Sequence, residues 1–178
     1  MIRDAMFETL RLISSDVKAK ARWLYESDTR AAQLKTLATD GTAAMVLYRL
    51  MQGSRRAGLL PLEMVFNKLT GVVGGAIIGR GAEFGPGFVL VHSQGVVING
   101  AVRGGRDVKI EHQVTIGAEK RQSPIIGDGV FIGAGAKIVG PVTIGAGARV
   151  GANAVVVHDV AENTTVVGIP AKPTRSSG

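Results

Sequence analysis

Along the second half of the chain the apolar positions recur every six residues. Between Ile126 and Val156 the aliphatics Ile126, Ile132, Ile138, Ile144, Val150 and Val156 keep this beat, and glycine follows at Gly127, Gly133, Gly145 and Gly151. Four places on from most of them stands a small or β-branched residue: Val130, Ala136, Val142, Ala148 and Ala154. A period of six fits neither the helical repeat nor the alternation of one long strand. It fits a coil of short strands with corners at fixed intervals, and such hexapeptide repeats build parallel β-helices. The beat starts near Ile77, where Ile78, Phe84 and Leu90 open three turns, one full coil of a triangular prism. It slips by two residues just after His92, in the segment SQGVV, and resumes through Ile98, Gly104, Ile110 and Ile116. A second slip spans Gly117 to Ile125, GAEKRQSPI, a charged loop of the kind that carries binding groups on a rigid scaffold.

Before the beat begins the pattern is helical. Phe7, Leu10, Ile13 and Val17 form a stripe within residues 2–26. Ser27 and Asp28 are N-cap candidates for a second helix through Leu37, and Asp40-Gly41-Thr42 breaks it and caps a third, with Val46, Leu47, Leu50 and Met51 inward. Gly53 and Gly58 end that helix, Pro61 suits the first turn of a fourth over Leu62 to Leu69, and Gly71 stops it. These stripes read as packing or subunit contacts, with no chemistry assigned beyond a share in an acceptor site. The expected organisation is a helical region over 1–73, a β-helix over 76–168 and a tail over 169–178, a mainly β chain with a small α-helical region in front.

Composition narrows the function. The 178 residues include 25 glycines and few aromatics, as expected of a core made from stacked columns of Ile, Val and Ala. With no cysteine there is no disulfide, thiolate metal site or cysteine nucleophile. The net charge of +7 suits an anionic partner such as a phosphate-bearing cofactor. Nucleic acid is disfavoured, because the basic residues are scattered and no aromatics interleave with them to stack bases. The opening MIRDAMFETLRL lacks the apolar run of a signal peptide, and Leu69 to Ile78 is too short and glycine-rich to span a bilayer. The expectation is a soluble, cytoplasmic protein with no membrane span.

Following the phase places the chemistry. If the turns at 78, 84 and 90 are the sides of the first coil, those at 98, 104 and 110 are the sides of the second, so Leu90 and Ile110 share a side. His92 and His112 then stack in one column at the strand spacing of ~4.8 Å. Further down the same column stand Ala134 and Ala152. A base at the head of a track of small residues suits a long thin thioester ligand such as acetylated pantetheine. The third histidine, His158, lies on another side of the prism and is given no role.

The segments VHSQGVVING around His92, VTIG after His112, PIIGDGVFIGAGAKIVG and the closing VVGIPAKP resemble the serine acetyltransferases and the related capsule and colanic-acid acetyltransferases. The resemblance runs over roughly residues 40–173. It implies a left-handed parallel β-helix, a trimer or dimer of trimers with active sites between subunits, and acetyl-CoA as donor. His92 matches the family's catalytic base. Ala134 and Ala152 match positions lining the CoA groove, and Lys172 looks similarly placed.

The departures are as informative. Counted without gaps, the aspartate that orients the base in serine acetyltransferases falls on Ile77, the acid beside the base on Val91, the substrate-binding glutamate on Gly100 and a second active-site histidine on Ser123. His112 instead resembles a histidine of the colanic-acid-type enzymes, and the helical region is shorter than in typical serine acetyltransferases.

The reading is an acetyl-CoA-dependent O-acetyltransferase with no metal, acting on a hydroxyl-bearing small molecule or glycan. A sugar acceptor is preferred and serine is the alternative. His92 serves as base by direct transfer in a ternary complex, and His112 orients it, binds the acceptor or helps stabilise the oxyanion. Two rivals stand further back: a γ-type carbonic anhydrase, which needs three converging histidines on zinc, and a non-catalytic scaffold.

Overall fold

The computed structural model describes residues 2–174, so residues 175–178 of the expected tail lie outside the described residues. Four helices come first: α1 (Ile2–Tyr25), α2 (Arg30–Leu37), α3 (Thr42–Arg56) and α4 (Leu60–Val72). A parallel β-solenoid of about five turns follows. Its first coil is β1 (Ala76–Ile78), β2 (Glu83–Phe84) and β3 (Val89–Leu90), and its second β4 (Val96–Ile98), β5 (Arg103–Gly104) and β6 (Lys109–Ile110). The third is β7 (Thr115–Gly117), β8 (Ile125–Ile126) and β9 (Phe131–Ile132), and the fourth β10 (Lys137–Val139), β11 (Thr143–Ile144) and β12 (Arg149–Val150). The last coil has β13 (Val155–Val156), a bridge from Val160 to Ile144, and β14 (Thr165–Val167), against which β15 (Lys172–Pro173) folds back antiparallel.

Every third strand stacks, giving three faces ordered β1-β4-β7-β10-β13, β2-β5-β8-β11 and β3-β6-β9-β12-β14-β15. The six-residue beat points inward. Ile78, Ile98, Ile116, Ile138 and Val156 line one face, and Leu90, Ile110, Ile132, Val150 and Val166 another, all buried. Gly104 breaks the aliphatic pattern for a steric reason: a Cβ there would lie 2.1 Å from Cδ1 of Phe84, whose ring fills the space. That ring packs 4.5 Å from Phe88 and on Tyr48, which ties α3 into the core.

A stack of parallel strands leaves its first coil with carbonyls that have no partner strand, and the helices supply the donors. Asn67 donates to the carbonyl of Ile78 (2.9 Å), and Tyr48 and Gln52 to that of Ala82 (3.0 and 3.1 Å). Arg49 donates to the carbonyls of Phe84 and Gly85 (2.8 and 2.6 Å), and Lys20 to that of Leu90 (2.8 Å). Asp16 accepts from the backbone N–H groups of Gly87 and Phe88 (2.9 and 3.0 Å) and is paired with Arg49 at 2.7 Å. Burial pushes the Asp16 carboxyl up, while the Arg49 charge and the two N–H groups pull against it.

This polar seam corrects the helical stripe read from α1. Phe7 and Leu10 are 72% and 59% exposed, and the buried face is Thr9, Leu12, Asp16, Val17 and Lys20. The side of α1 that meets the solenoid edge must hydrogen-bond, so polar residues go inside. Gly53 does not end the third helix but lies within it, where a Cβ would strike Oγ1 of Thr9 at 2.1 Å, so it permits close approach of α1 and α3. Thr29, not Ser27 or Asp28, caps α2, its side chain accepting from the N–H of Ala32. The N-cap of α3 is Gly41, in the left-handed region at φ 77°, with no side-chain cap bond; Asp40 is therefore free of capping duty. The fourth helix starts at Leu60 and passes Gly71 to end at Val72.

Candidate active site

The strand register sets the site. Leu90 pairs with Ile110, Ile110 with Ile132 and Ile132 with Val150, so the residues two places on, His92, His112, Ala134 and Ala152, follow one another along a single corner of the prism. In the lower coils each corner turns through a left-handed residue at the next place, Gln113, Gly135 and Asn153, with φ of 58°, 72° and 56°. Backbone bonds lock these corners coil to coil, from Gly135 N–H to His112 O and from Asn153 N–H to Ala134 O. The imidazoles of His92 and His112 lie edge to face with centroids 6.0 Å apart, wider than the strand spacing because the rings splay at the corner. Ala152 is exposed and Ala134 half-buried, so below the histidines the corner is a shallow track without bulky side chains. Lys172 lies on β15, an exposed residue at the far end of the same six-stranded face, opposite Val167.

The helical region brings an acid to this corner. Oδ2 of Asp40, in the turn between α2 and α3, lies 3.3 Å from Nδ1 of His92. A cavity of about 250 Å³ opens beside the pair, lined by Asp40, Thr39, Val73, Gly74, Ser93 and Gln94 among others. One coil down, Oε2 of Glu111 stands 3.8 Å from Nδ1 of His112. The site is thus two histidines, each with a carboxylate at Nδ1. A carboxylate can only accept, so this contact suits the His92 tautomer with its proton on Nδ1, which leaves the lone pair of Nε2 for an incoming hydroxyl.

Sequence reasoning missed both acids. The gapless count looked for the orienting acid within the solenoid, where Ile77 is exposed and Val91 is buried beside Ala19 and Val89. Asp40 is 52 residues from His92 and reads in the sequence only as part of a segment that breaks one helix and caps the next. Its signal was an acid directly before a glycine between two helices: at Gly41 a Cβ would sit 2.5 Å from Leu90 O, so the turn is pressed onto the strand that leads to His92. At Ser123, the position that falls on the family's second histidine, the hydroxyl donates from the charged loop to Oδ1 of Asn99 (3.0 Å), just after β4. Among the described residues no three His, Asp or Glu side chains converge as a metal site would require, and no helix is long and apolar enough to cross a membrane.

Comparison with known proteins decides the family. Residues 123–158 match the bacterial transferase hexapeptide family. The chain is 31% identical over 173 residues to the serine acetyltransferase of Helicobacter pylori, covering 95% of each. The chain belongs to the serine acetyltransferase family. The crystal structure of Neisseria gonorrhoeae serine acetyltransferase superposes with a TM-score of 0.85 at 33% identity, covering 96% of this chain and 68% of that one. A serine acetyltransferase solved in complex with CoA gives 0.81 at 27% identity, over 97% of this chain and 75% of that one. The protein is an acyltransferase with acetyl-CoA as its co-substrate. The preference for a sugar or glycan acceptor is overturned, because the relatives matched along almost the whole chain are serine acetyltransferases. The Helicobacter pylori relative is covered over 95% of its own length, whereas the Neisseria gonorrhoeae structure is covered over 68% of its own.

Proposed function

We propose that the protein transfers the acetyl group of acetyl-CoA to the hydroxyl of L-serine, the serine O-acetyltransferase reaction of cysteine biosynthesis. The observation that carries this is the contact of Asp40 with His92, since an acid beside the base is what the sequence had seemed to lack. A zwitterionic acceptor needs an anionic partner for its ammonium, and a site with hydrogen-bonding or charged partners rejects acceptors that leave those partners unpaired. Asp40 and Glu111 supply that charge where Val91 and Gly100 do not.

In this reading His92 takes the hydroxyl proton at Nε2 as the serine oxygen attacks the thioester carbonyl, and Asp40 holds the imidazole in the tautomer that allows it. His112 lies in van der Waals reach of the same corner and serves to bind or orient. Ala134 and Ala152 leave room for the pantetheine arm, and Lys172 offers a cation to its phosphates. The track is open on one side in a single chain, which supports assembly as a homotrimer, or a dimer of trimers, with a neighbour forming the second wall. Sedimentation then gives a trimer or hexamer, and an active monomer argues against that wall.

The test is L-serine-dependent release of CoA thiol from acetyl-CoA, with O-acetylserine identified by mass. Serine-stimulated release is expected. Thiol release that does not respond to L-serine overturns the reading.

A further inference from the structure

Lys20, already one of the donors to the first-coil carbonyls, has a second partner that the cap does not require. It lies on α1, is 0% exposed, and reaches the joint between the two regions of the molecule. Its ammonium donates to the backbone carbonyl of Asp40 and to that of Leu90, the latter at 2.8 Å. The first carbonyl belongs to the residue whose carboxylate meets His92; the second stands two residues before His92 itself. Glu111, the acid beside His112, follows the strand residue paired with Leu90 and is near enough for its charge to act on Lys20.

We propose that Lys20 is a positioning residue of this site, a buried cation that pins the Asp40 turn to the end of β3 and lies behind both carboxylates that face the histidines. The proposal rests on the serine acetyltransferase reading and adds the element that fixes its acceptor end.

The alternatives to this role are physically poor. A lysine with no exposure is costly to bury, and a helix that needed only to pack would carry an aliphatic there. A neutral side chain of that length has no three-donor head to serve carbonyls from two segments at once. Thr36, Thr39 and Thr42 bond the turn to itself, Thr39 and Thr42 each donating to the carbonyl of Thr36 (2.7 and 2.8 Å), but those bonds stay within the helical region, and Gly41 only permits the approach to Leu90; the lysine is the bond that joins the turn to β3. Asp40 is 78% exposed at its side chain, so its place at His92 is set from the backbone side, where Lys20 bonds.

The experiment compares wild type, Lys20→Met, Asp40→Asn and the double variant, with acetyl-CoA and L-serine varied in turn. In Lys20→Met we expect kcat/KM for L-serine to fall about tenfold or more, with KM for acetyl-CoA kept within roughly twofold, because the donor track is untouched. On top of Asp40→Asn the same change should cost less than about twofold further, since the two act as one unit. Amide exchange over residues 39–42 should quicken in Lys20→Met. A folded Lys20→Met with wild-type kcat/KM for L-serine overturns the proposal. So does a loss repeated in full in the Asp40→Asn background, or a parallel loss of CoA affinity, since either marks a general structural effect. Should Lys20→Met fail to fold, Lys20→Gln, which keeps an N–H donor and drops the charge, makes the same comparison. If wild type does not turn over L-serine, the functional reading falls by itself, and exchange at 39–42 still decides for or against Lys20.

Discussion

The solenoid and the helical region bury their residues by opposite rules. Within the solenoid each coil repeats the one above, so an inward aliphatic satisfies most levels in the same way, with Gly104 beneath Phe84 the exception. The helical region meets the solenoid where repetition stops, and there the interior is Asp16, Lys20, Arg49, Gln52 and Tyr48, each bonded to a backbone group of the first coil. Ending a ladder takes side-chain chemistry that continuing it does not. The proposed site lies on that boundary: His92 is at the first-coil corner, and Asp40 comes from the cap.

The solenoid's share can be broken at its base. His92→Ala should lower kcat by about a hundredfold or more, ~2.7–5.5 kcal/mol of barrier over the usual range for a general base, with CoA affinity nearly unchanged. His112→Ala should be milder, and the double variant little worse than His92→Ala alone. Activity lost only in His112→Ala would move the base one coil down.

The cap's share can be broken at the buried ion pair. Arg49→Met removes the counter-ion of the buried Asp16 carboxyl and leaves nothing to donate to the carbonyls of Phe84 and Gly85, and should cost about 3–5 kcal/mol in urea unfolding. Removing Arg149, exposed on the outer side of β12 over the Phe131 ring, should cost within about 0.5 kcal/mol. Similar losses for the two would mean that the seam is no more than surface.

A smaller effect separates the donor track from the acceptor end. Ala152→Tyr should leave the solenoid folded, because the side chain points outward, and weaken CoA binding by at least tenfold, ~1.4 kcal/mol. Unchanged affinity by calorimetry would put the groove elsewhere.

A further effect is on the pH dependence of stability. Burial pushes the Lys20 ammonium down to about 8 from its ordinary 10.5, against the pull of Asp40 and Glu111. Above pH 8 the folded protein therefore sheds this proton while the unfolded chain keeps it. Wild type should gain stability relative to Lys20→Met as pH rises from 8 toward 10.5. A stability difference between the two that stays flat across that window would show that the cation is not buried in solution.

What was legible in the sequence follows the same division. The beat from Ile78 to Val156 located the coils, and because one strand register holds down a face, it also put His92, His112, Ala134 and Ala152 on one corner. The phase slip after His92 is the extra length of the Ser93–Gly95 turn, where Ser93 is buried against the carbonyl of Gly74. The cap was not legible by the same means. Phe7 and Leu10 look inward by helical periodicity, yet Asp16 and Lys20 are inside, because periodicity ranks residues by hydrophobicity and the solenoid edge demands donors and acceptors. Asp40 was lost for a related reason: a contact across 52 residues leaves no local pattern.

The measurement that bears most directly on this account is kcat/KM for L-serine in Asp40→Asn against wild type, with KM for acetyl-CoA taken alongside. Asn keeps the size of the side chain and removes its charge, so the base loses its orienting partner and the acceptor ammonium its counter-ion. We expect a fall of at least about tenfold with KM for acetyl-CoA unchanged. Wild-type kcat/KM for L-serine in Asp40→Asn would show that the helical region caps the solenoid without completing its active site.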